Sequence, residues 1–365
     1  MPARVLIVGG GVIGLSCAWQ LARQDHHVTL VAPEPGRDGA SWVAAGMLAP
    51  VTEAQFGEAA LTTMLLEGAA LWKEFATTLE QATGHDIGFD QSGTLIVALT
   101  PSDRAALDDL LAYQEGLGLV ARRCASSECR TLVPALAPGI SGGIAVPGDH
   151  QVDNRALLGA LLAACHASGV QFFSGSVTAV TAVTGAGGAT PGPALALFDG
   201  SRLSSDVVLL AAGIGIPHID GLEGAGLAEV RPVKGHILRL GPLHPSDGPL
   251  LTQTVRGLVH GRSVYLVPRR DGSVVVGATV EERGDTITVQ AGAVHQLLSD
   301  ARAIVPGVDE LELLEARAGL RPATPDNTPC IGWTGLPGVA VATGHFRNGI
   351  LLAPLTAAAI AALLA

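Results

Sequence analysis

Charged side chains are scarce: Asp, Glu, Lys and Arg make up 15% of the 365 residues, and 22 basic groups against 33 acidic ones leave a formal charge of −11. With no Lys/Arg-rich run, the chain offers neither a nucleic-acid footprint nor attraction to an anionic membrane. Cysteine is equally sparse. Cys17, Cys124, Cys129, Cys165 and Cys330 are scattered and odd in number, which reads as reduced, mostly buried thiols of a cytoplasmic protein. No second Cys or His pair follows Cys124 and Cys129 at ligand spacing, so no metal is expected. Long apolar runs are lacking too. The stretch at residues 5–8 is broken at once by glycines, so no signal peptide is expected, and the run from Ile350 to Ala365 carries Pro354 and Thr356 and falls short of a bilayer span. It predicts a buried helix.

Ala, Gly, Val and Leu are abundant instead, a composition that suits a packed α/β protein with many strand-to-helix turns. The length is enough for two domains.

The most informative local pattern is at the amino end. Four apolar residues, Val5 to Val8, read as a buried strand that runs into Gly9-x-Gly11-x-x-Gly14 and then into helical periodicity at Leu15, Ala18, Trp19 and Leu21. Gly9 permits the turn, Gly11 admits a pyrophosphate to the backbone, and Gly14 lets the helix pack on the strand. Free N–H groups and the positive end of the helix then face phosphate. The strand Val28–Val31 completes a βαβ unit. The acidic residue that normally meets the ribose should fall near position 32, where the chain has Ala32; Glu34 and backbone groups are the candidates for that contact.

Further along, periodicity predicts helices over residues 60–83, 103–116 and 155–167, and strands at 93–99, 170–173, 177–183 and 206–213. Pro134 to Gly148 reads as a loop, and Thr184 to Pro193 as a surface loop at a hairpin tip. The strand at 206–213 ends in small residues, like the first one, and should lie beside it. From 214 to 320 the segments alternate strand and turn, notably 235–240, 264–268 and 273–277. An antiparallel sheet inserted into the nucleotide-binding unit is expected.

At the other end, Gly344 and Gly349 bracket a polar turn before the apolar run from Ile350, so the start of that helix could stabilise negative charge. On pattern alone His345 and Arg347 read as a pair satisfying the turn. Several segments together carry a resemblance: Gly9 to Gly14; Gly39-Ala-Ser-Trp-Val-Ala-Ala-Gly-Met-Leu-Ala-Pro50; Tyr265-Leu-Val-Pro268; Gly319-Leu-Arg-Pro322 with Thr324-Pro-Asp326; and Gly344-His-Phe-Arg-Asn-Gly-Ile-Leu-Leu-Ala-Pro354. In order, and over nearly the whole chain, they resemble the FAD-dependent D-amino-acid oxidase family and within it the glycine oxidase branch, which serves thiazole formation in thiamine biosynthesis.

That resemblance implies a Rossmann-like FAD-binding domain (1–85, 150–215, 322–365) with an inserted antiparallel-sheet substrate domain (86–149, 216–321), an α/β (α+β) fold. It implies Val12 and Ile13 at the pyrophosphate, Ala40 and Ser41 near the ribityl-phosphate path, and Ala45, Gly46 and Met47 against the flavin. Val177 should meet the adenine. His345, Phe346, Arg347, Asn348, Gly349, Ile350 and Leu351 should form the turn whose N–H groups point at the pyrimidine ring.

For the substrate, Arg321 and Tyr265 occupy the family's carboxylate-binding positions, and a guanidinium fork with a phenol suits a carboxylate. By pattern alone Tyr265 is a core aromatic on an alternating strand. Arg347 and Met47 join them as catalytic candidates. Position 263 is Ser where some glycine oxidases carry His, and Gly319 stands where related sarcosine oxidases attach flavin through Cys, so FAD should be non-covalent. The reaction implied is oxidative deamination of glycine or a small D-amino acid, with oxygen reoxidising the flavin to give hydrogen peroxide and an imine. A dehydrogenase acting on D-amino acids or sarcosine with another electron acceptor is the alternative, and a flavin-binding sensor without turnover a second. Because flavin carries the redox chemistry, no metal and no Ser/His/Asp nucleophile are needed. Nucleic-acid and membrane partners are not expected, and a homo-oligomer is left open.

Overall fold

The four apolar residues of the first strand have different work on their two sides. In the computed structural model, which describes residues 1–365 except 38, 184–191, 243 and 245–247, Arg4–Val8 is flanked in parallel by Val207–Leu210 and His27–Val31. The six-stranded sheet runs Cys330–Trp333, Val339–Thr343, Val207–Leu210, Arg4–Val8, His27–Val31, Gln171–Phe173. Val5 and Ile7 point into a core shared with the helices Val12–Ala22, Ala59–Thr83, Asn154–Ala167 and Gly349–Leu363. Leu6 and Val8 point the other way, against a three-stranded sheet of Val177–Val183, Gly192–Leu197 and Arg202–Ser204. Cover on both faces explains why the strand is uniformly apolar rather than alternating.

Trp72 fastens the long helix to the last one. Its indole is 1% exposed and Nε1 donates to the Leu351 carbonyl at 2.8 Å. Truncating such a ring to Ala costs about 3–5 kcal/mol through lost burial and the cavity left behind.

The second sheet has eight strands, in the order Leu311–Ala323, Arg231–Pro242, Val274–Gly277, Arg262–Pro268, Thr254–Val259, Thr94–Ala98, Gly142–Val146, Arg122–Cys124. One face packs on the helix Ala291–Ile304 through Leu297, Ala301 and Ile304. The opposite face presents Ile237, Val267 and Val275 to Ala45, with Tyr265 and Met47 beside them. A short pairing of Met47–Leu48 with His150–Gln151 lies near this junction.

Three expectations need correction. The sheet is not wholly antiparallel, because Thr254–Val259 runs parallel to Thr94–Ala98. Within the expected loop 134–148 lies the strand Gly142–Val146; Gly142 and Gly143 give it a turn-like composition, yet Ile144 and Val146 are fully buried. The stretch 214–320 also holds the helix Ala291–Ile304, whose apolar spacing was masked by flanking strand-and-turn segments. The loop expected at 184–193 lies, through residue 191, outside the described residues, while the strands flanking it pair antiparallel. The expected neighbour of the first strand is in place: Ile7 pairs with Leu209. All five thiols are free, and among the described residues no helix is long and apolar enough to cross a membrane.

Candidate active site

A cavity of about 810 Å³ lies between the carboxyl ends of the central parallel strands and the inner face of the eight-stranded sheet. At one end the strand turns at Gly9, whose φ of +115° only glycine adopts comfortably and where a Cβ would collide with the Ala211 carbonyl. Gly9, Gly11, Val12 and Ile13 all line the cavity. Gly14 does not; it sits against the Gly9 carbonyl, where any Cβ would clash, and so serves packing. The helix Val12–Ala22 has no side-chain cap at Gly11. Ser41 Oγ accepts from Val12 N–H at 3.0 Å; the next N–H groups of the first turn lack partners within the helix. Glu34, Ala40, Ser41 and Val177 line the same end.

The second helix terminus opens into the cavity from the other side. His345, Phe346, Arg347, Asn348, Gly349 and Ile350 line it, and the helix Gly349–Leu363 likewise begins without a side-chain cap. Phe346 holds φ +47° and donates its N–H to the Pro322 carbonyl at 2.8 Å. His345 is buried, with Nε2 3.0 Å from Thr356 Oγ1. Burial pushes its pKa down to about 3, so the ring is neutral and anchors the turn. Leu351 lies in the core beneath this helix, 1% exposed, and does not line the cavity.

Ala45, Gly46 and Met47 line the same cavity, and so does a second group, the pair Arg321 and Tyr265. Space for this second pair comes from two glycines of the facing strands. The Arg321 guanidinium lies over Gly235 and the Tyr265 ring over Gly277, each close enough that a Cβ would overlap it. Arg321 Nη1 donates to the Thr279 carbonyl at 3.2 Å, and its guanidinium lies close enough to Tyr265 for the two groups to influence each other's ionisation. Burial lowers the Arg321 pKa and raises that of Tyr265, the neighbouring Arg321 and Arg256 opposing the latter. The phenol therefore stays protonated, a donor beside a cation.

Sequence reasoning missed two charged residues here. Arg256 faces Tyr265 directly across the strand pair, and its Nη1 donates to Glu53 Oε1 at 2.6 Å and Thr52 Oγ1 at 2.7 Å. Glu53 Oε2 in turn lies 2.7 Å from Arg347 Nε. Burial alone would raise the Glu53 pKa, but Arg256 and Arg347 outweigh it and hold the carboxylate ionised. Gln55, its amide oxygen turned toward Arg347, accepts from Nη2 at 2.7 Å. The only sequence signal for Glu53 was its place three residues after the Ala-Gly-Met-Leu-Ala-Pro motif; Arg256 had none, because its register with Tyr265 is a tertiary fact. Ser263, two residues before Tyr265 on the same strand, also lines the cavity.

These features fit FAD. Two uncapped helix N-termini supply donors and positive potential for a diphosphate and for ring carbonyls. The buried Thr343 hydroxyl lines the cavity without any hydrogen-bond partner, as expected of a group awaiting a ligand.

Comparison with known proteins agrees. The family model described as DAO, FAD dependent oxidoreductase, matches residues 4–363. A bifunctional protein ThiO/ThiG of Nostoc sp. is 33% identical over 365 residues, which is all of this chain and 53% of that protein, so the chain spans about half the length of this relative. A glycine oxidase of Geobacillus kaustophilus is 31% identical over 98% of this chain and 91% of its own length. The crystal structure of glycine oxidase from Geobacillus kaustophilus superposes with a TM-score of 0.88 at 30% identity, covering 100% of this chain and 94% of that one.

Proposed function

We propose, from the premise that this chain belongs to the DAO family of FAD-dependent oxidoreductases, that it oxidises the amine of glycine or a small D-amino acid, with oxygen as the final electron acceptor. The observation that carries the reading is the Arg321–Tyr265 pair, set in the same cavity as two open helix termini. Arg321 presents a planar fork to the substrate carboxylate and Tyr265 adds a hydroxyl donor, so the carboxylate is held by a charge-assisted pair. With the carboxylate fixed there, the α-carbon is oriented toward the wall formed by Ala45 to Met47. Glu53 neutralises part of the positive charge of Arg256 and Arg347, which keeps the pocket from trapping anions at random.

When bound, FAD would supply the two-electron acceptor for the hydride leaving Cα; with the proton lost from the amine nitrogen, these electrons would balance the reduction of oxygen to hydrogen peroxide. The substrate enters as the free amine and leaves as an imine, which water hydrolyses to ammonia and an oxo acid. The helix beginning at Gly349 directs its N–H groups and dipole into the cavity, where they favour negative charge.

The test is an oxygen-electrode assay of the purified yellow protein with glycine, sarcosine, D-alanine, D-proline and L-alanine, with peroxide measured in parallel. One peroxide formed per oxygen consumed, with glycine or a D-amino acid active and L-alanine inert, supports the reading. Dye reduction without oxygen uptake would instead make the protein a dehydrogenase.

A further inference from the structure

Arg347 is held by Glu53, and something must hold Glu53. That side chain sits on the segment Val51 to Glu53, which has no regular secondary structure to fix it. Asp149, 0% exposed, reaches across from just before the strand His150–Gln151 and accepts two of the segment's three backbone donors, Val51 N–H at 2.9 Å and Thr52 N–H at 2.9 Å, while Glu53 N–H donates to the Ala49 carbonyl at 3.1 Å. Gln114, equally buried, donates to the Val51 carbonyl at 2.8 Å. The next residue is Glu53, bridging Arg256 and Arg347.

We propose that Asp149 is a positioning residue of the active site: its carboxylate clamps the Val51–Thr52 backbone and thereby fixes Glu53 and, through it, Arg347 and Arg256 around the substrate. This assignment rests on the functional reading above for the identity of the substrate, but not for its test. Both backbone bonds require acceptors, and the ionised carboxylate offers both oxygens at full strength; a proton turns one of them into a hydroxyl, a weaker acceptor, and loosens the clamp. The charged and titratable groups around it are Arg256 from the facing sheet, Glu53 two residues along the clamped segment, and His150 beside it in the chain. Burial pushes the Asp149 carboxyl up to about 6, against its hydrogen bonds to Thr52 and Val51 and the attraction of Arg256. The clamp therefore closes as pH rises through that value.

The experiment titrates acetate, a carboxylate with no amine to oxidise, into the FAD-loaded protein and follows the flavin absorbance from pH 5.2 to pH 7.5. For the wild-type protein acetate affinity should rise about tenfold across pH 6, the effect of setting one charged hydrogen-bonding group in place. Asp149→Asn should bind acetate at about the wild-type low-pH level throughout, without that step and with normal flavin content. Wild-type affinity and pH dependence in Asp149→Asn would overturn the proposal. Should that variant not retain flavin, Glu53→Gln gives the answer: loss of the step supports a clamp acting through Glu53, and an unchanged step refutes it. Because acetate binding needs no turnover, failure of every amino acid to react would sink the substrate assignment and leave this one standing.

Discussion

Replacing Arg321 by Ala removes the fork that the account assigns to the substrate carboxylate and leaves the walls around the flavin untouched. Each hydrogen bond from a guanidinium to a carboxylate contributes about 1.5–3 kcal/mol net. Arg321 offers two, but Arg347 remains in the cavity and recovers part of the charge, so about 3–4 kcal/mol is the expected loss. At 1.36 kcal/mol per decade this is a fall in kcat/KM of about 100- to 1000-fold. Most of it should appear in KM, since the carboxylate is bound in ground and transition state alike. The structural cost is small: the Thr279 and Lys234 carbonyls each lose one long donor, at 3.2 Å and 3.4 Å. Steady-state kinetics with the best amino acid, normalised to bound flavin, measures the effect, and Arg321→Lys should recover only part because a point charge cannot present the fork. Kinetics within threefold of wild type would remove Arg321 from the site. A loss of flavin in step with activity would make it a cofactor ligand instead.

Gly235→Ala should weaken substrate binding as a milder version of the same change, because the added Cβ strikes the Arg321 guanidinium; normal KM would contradict the stacking of Arg321 on that glycine. Flavin should be released into the supernatant on acid precipitation, since the residue facing Val43 is Gly319 and no cysteine lines the cavity among the described residues; a yellow pellet would disprove this. Stability should fall in acid through His345. Its pKa in the fold, pushed to about 3, lies below the ordinary 6.5, so the stabilising contribution is present above pH 6.5 and is lost as pH falls toward 3. By pH 5 the loss is about 2 kcal/mol. Melting curves of wild type and His345→Gln should converge between pH 7 and pH 5, and parallel curves would show that the ring titrates normally.

What the sequence revealed and what it hid divide along the range of the interaction. The turn at Gly9 to Gly14 is local: its spacing states a steric requirement, and Gly14 against the Gly9 carbonyl is that requirement in three dimensions. The helix from Gly349 was legible for the same reason, although Leu351 is buried in the core, its carbonyl accepting from the Trp72 indole, and does not line the cavity. Placing Arg321 and Tyr265 together needed the family likeness, because alternation alone cannot say which strands are neighbours. Arg256 and Asp149 stayed invisible, and Glu53 was marked only by its nearness to the Ala-Gly-Met-Leu-Ala-Pro motif. They come from three segments that meet only once Thr254–Val259 lies parallel to Thr94–Ala98 and antiparallel to Arg262–Pro268. The strand Gly142–Val146 and the helix Ala291–Ile304 were hidden by their surroundings, one by its glycines and the other by neighbouring strand patterns.

The proposed function requires a small amino acid to deliver its Cα hydride to a flavin held in this cavity. The most direct measurement is an anaerobic absorbance scan of the yellow protein mixed with glycine or D-alanine, followed by admission of air. Bleaching of the oxidised flavin band with rapid recovery in air is the predicted result. A spectrum unchanged by every small amino acid offered would contradict the claim.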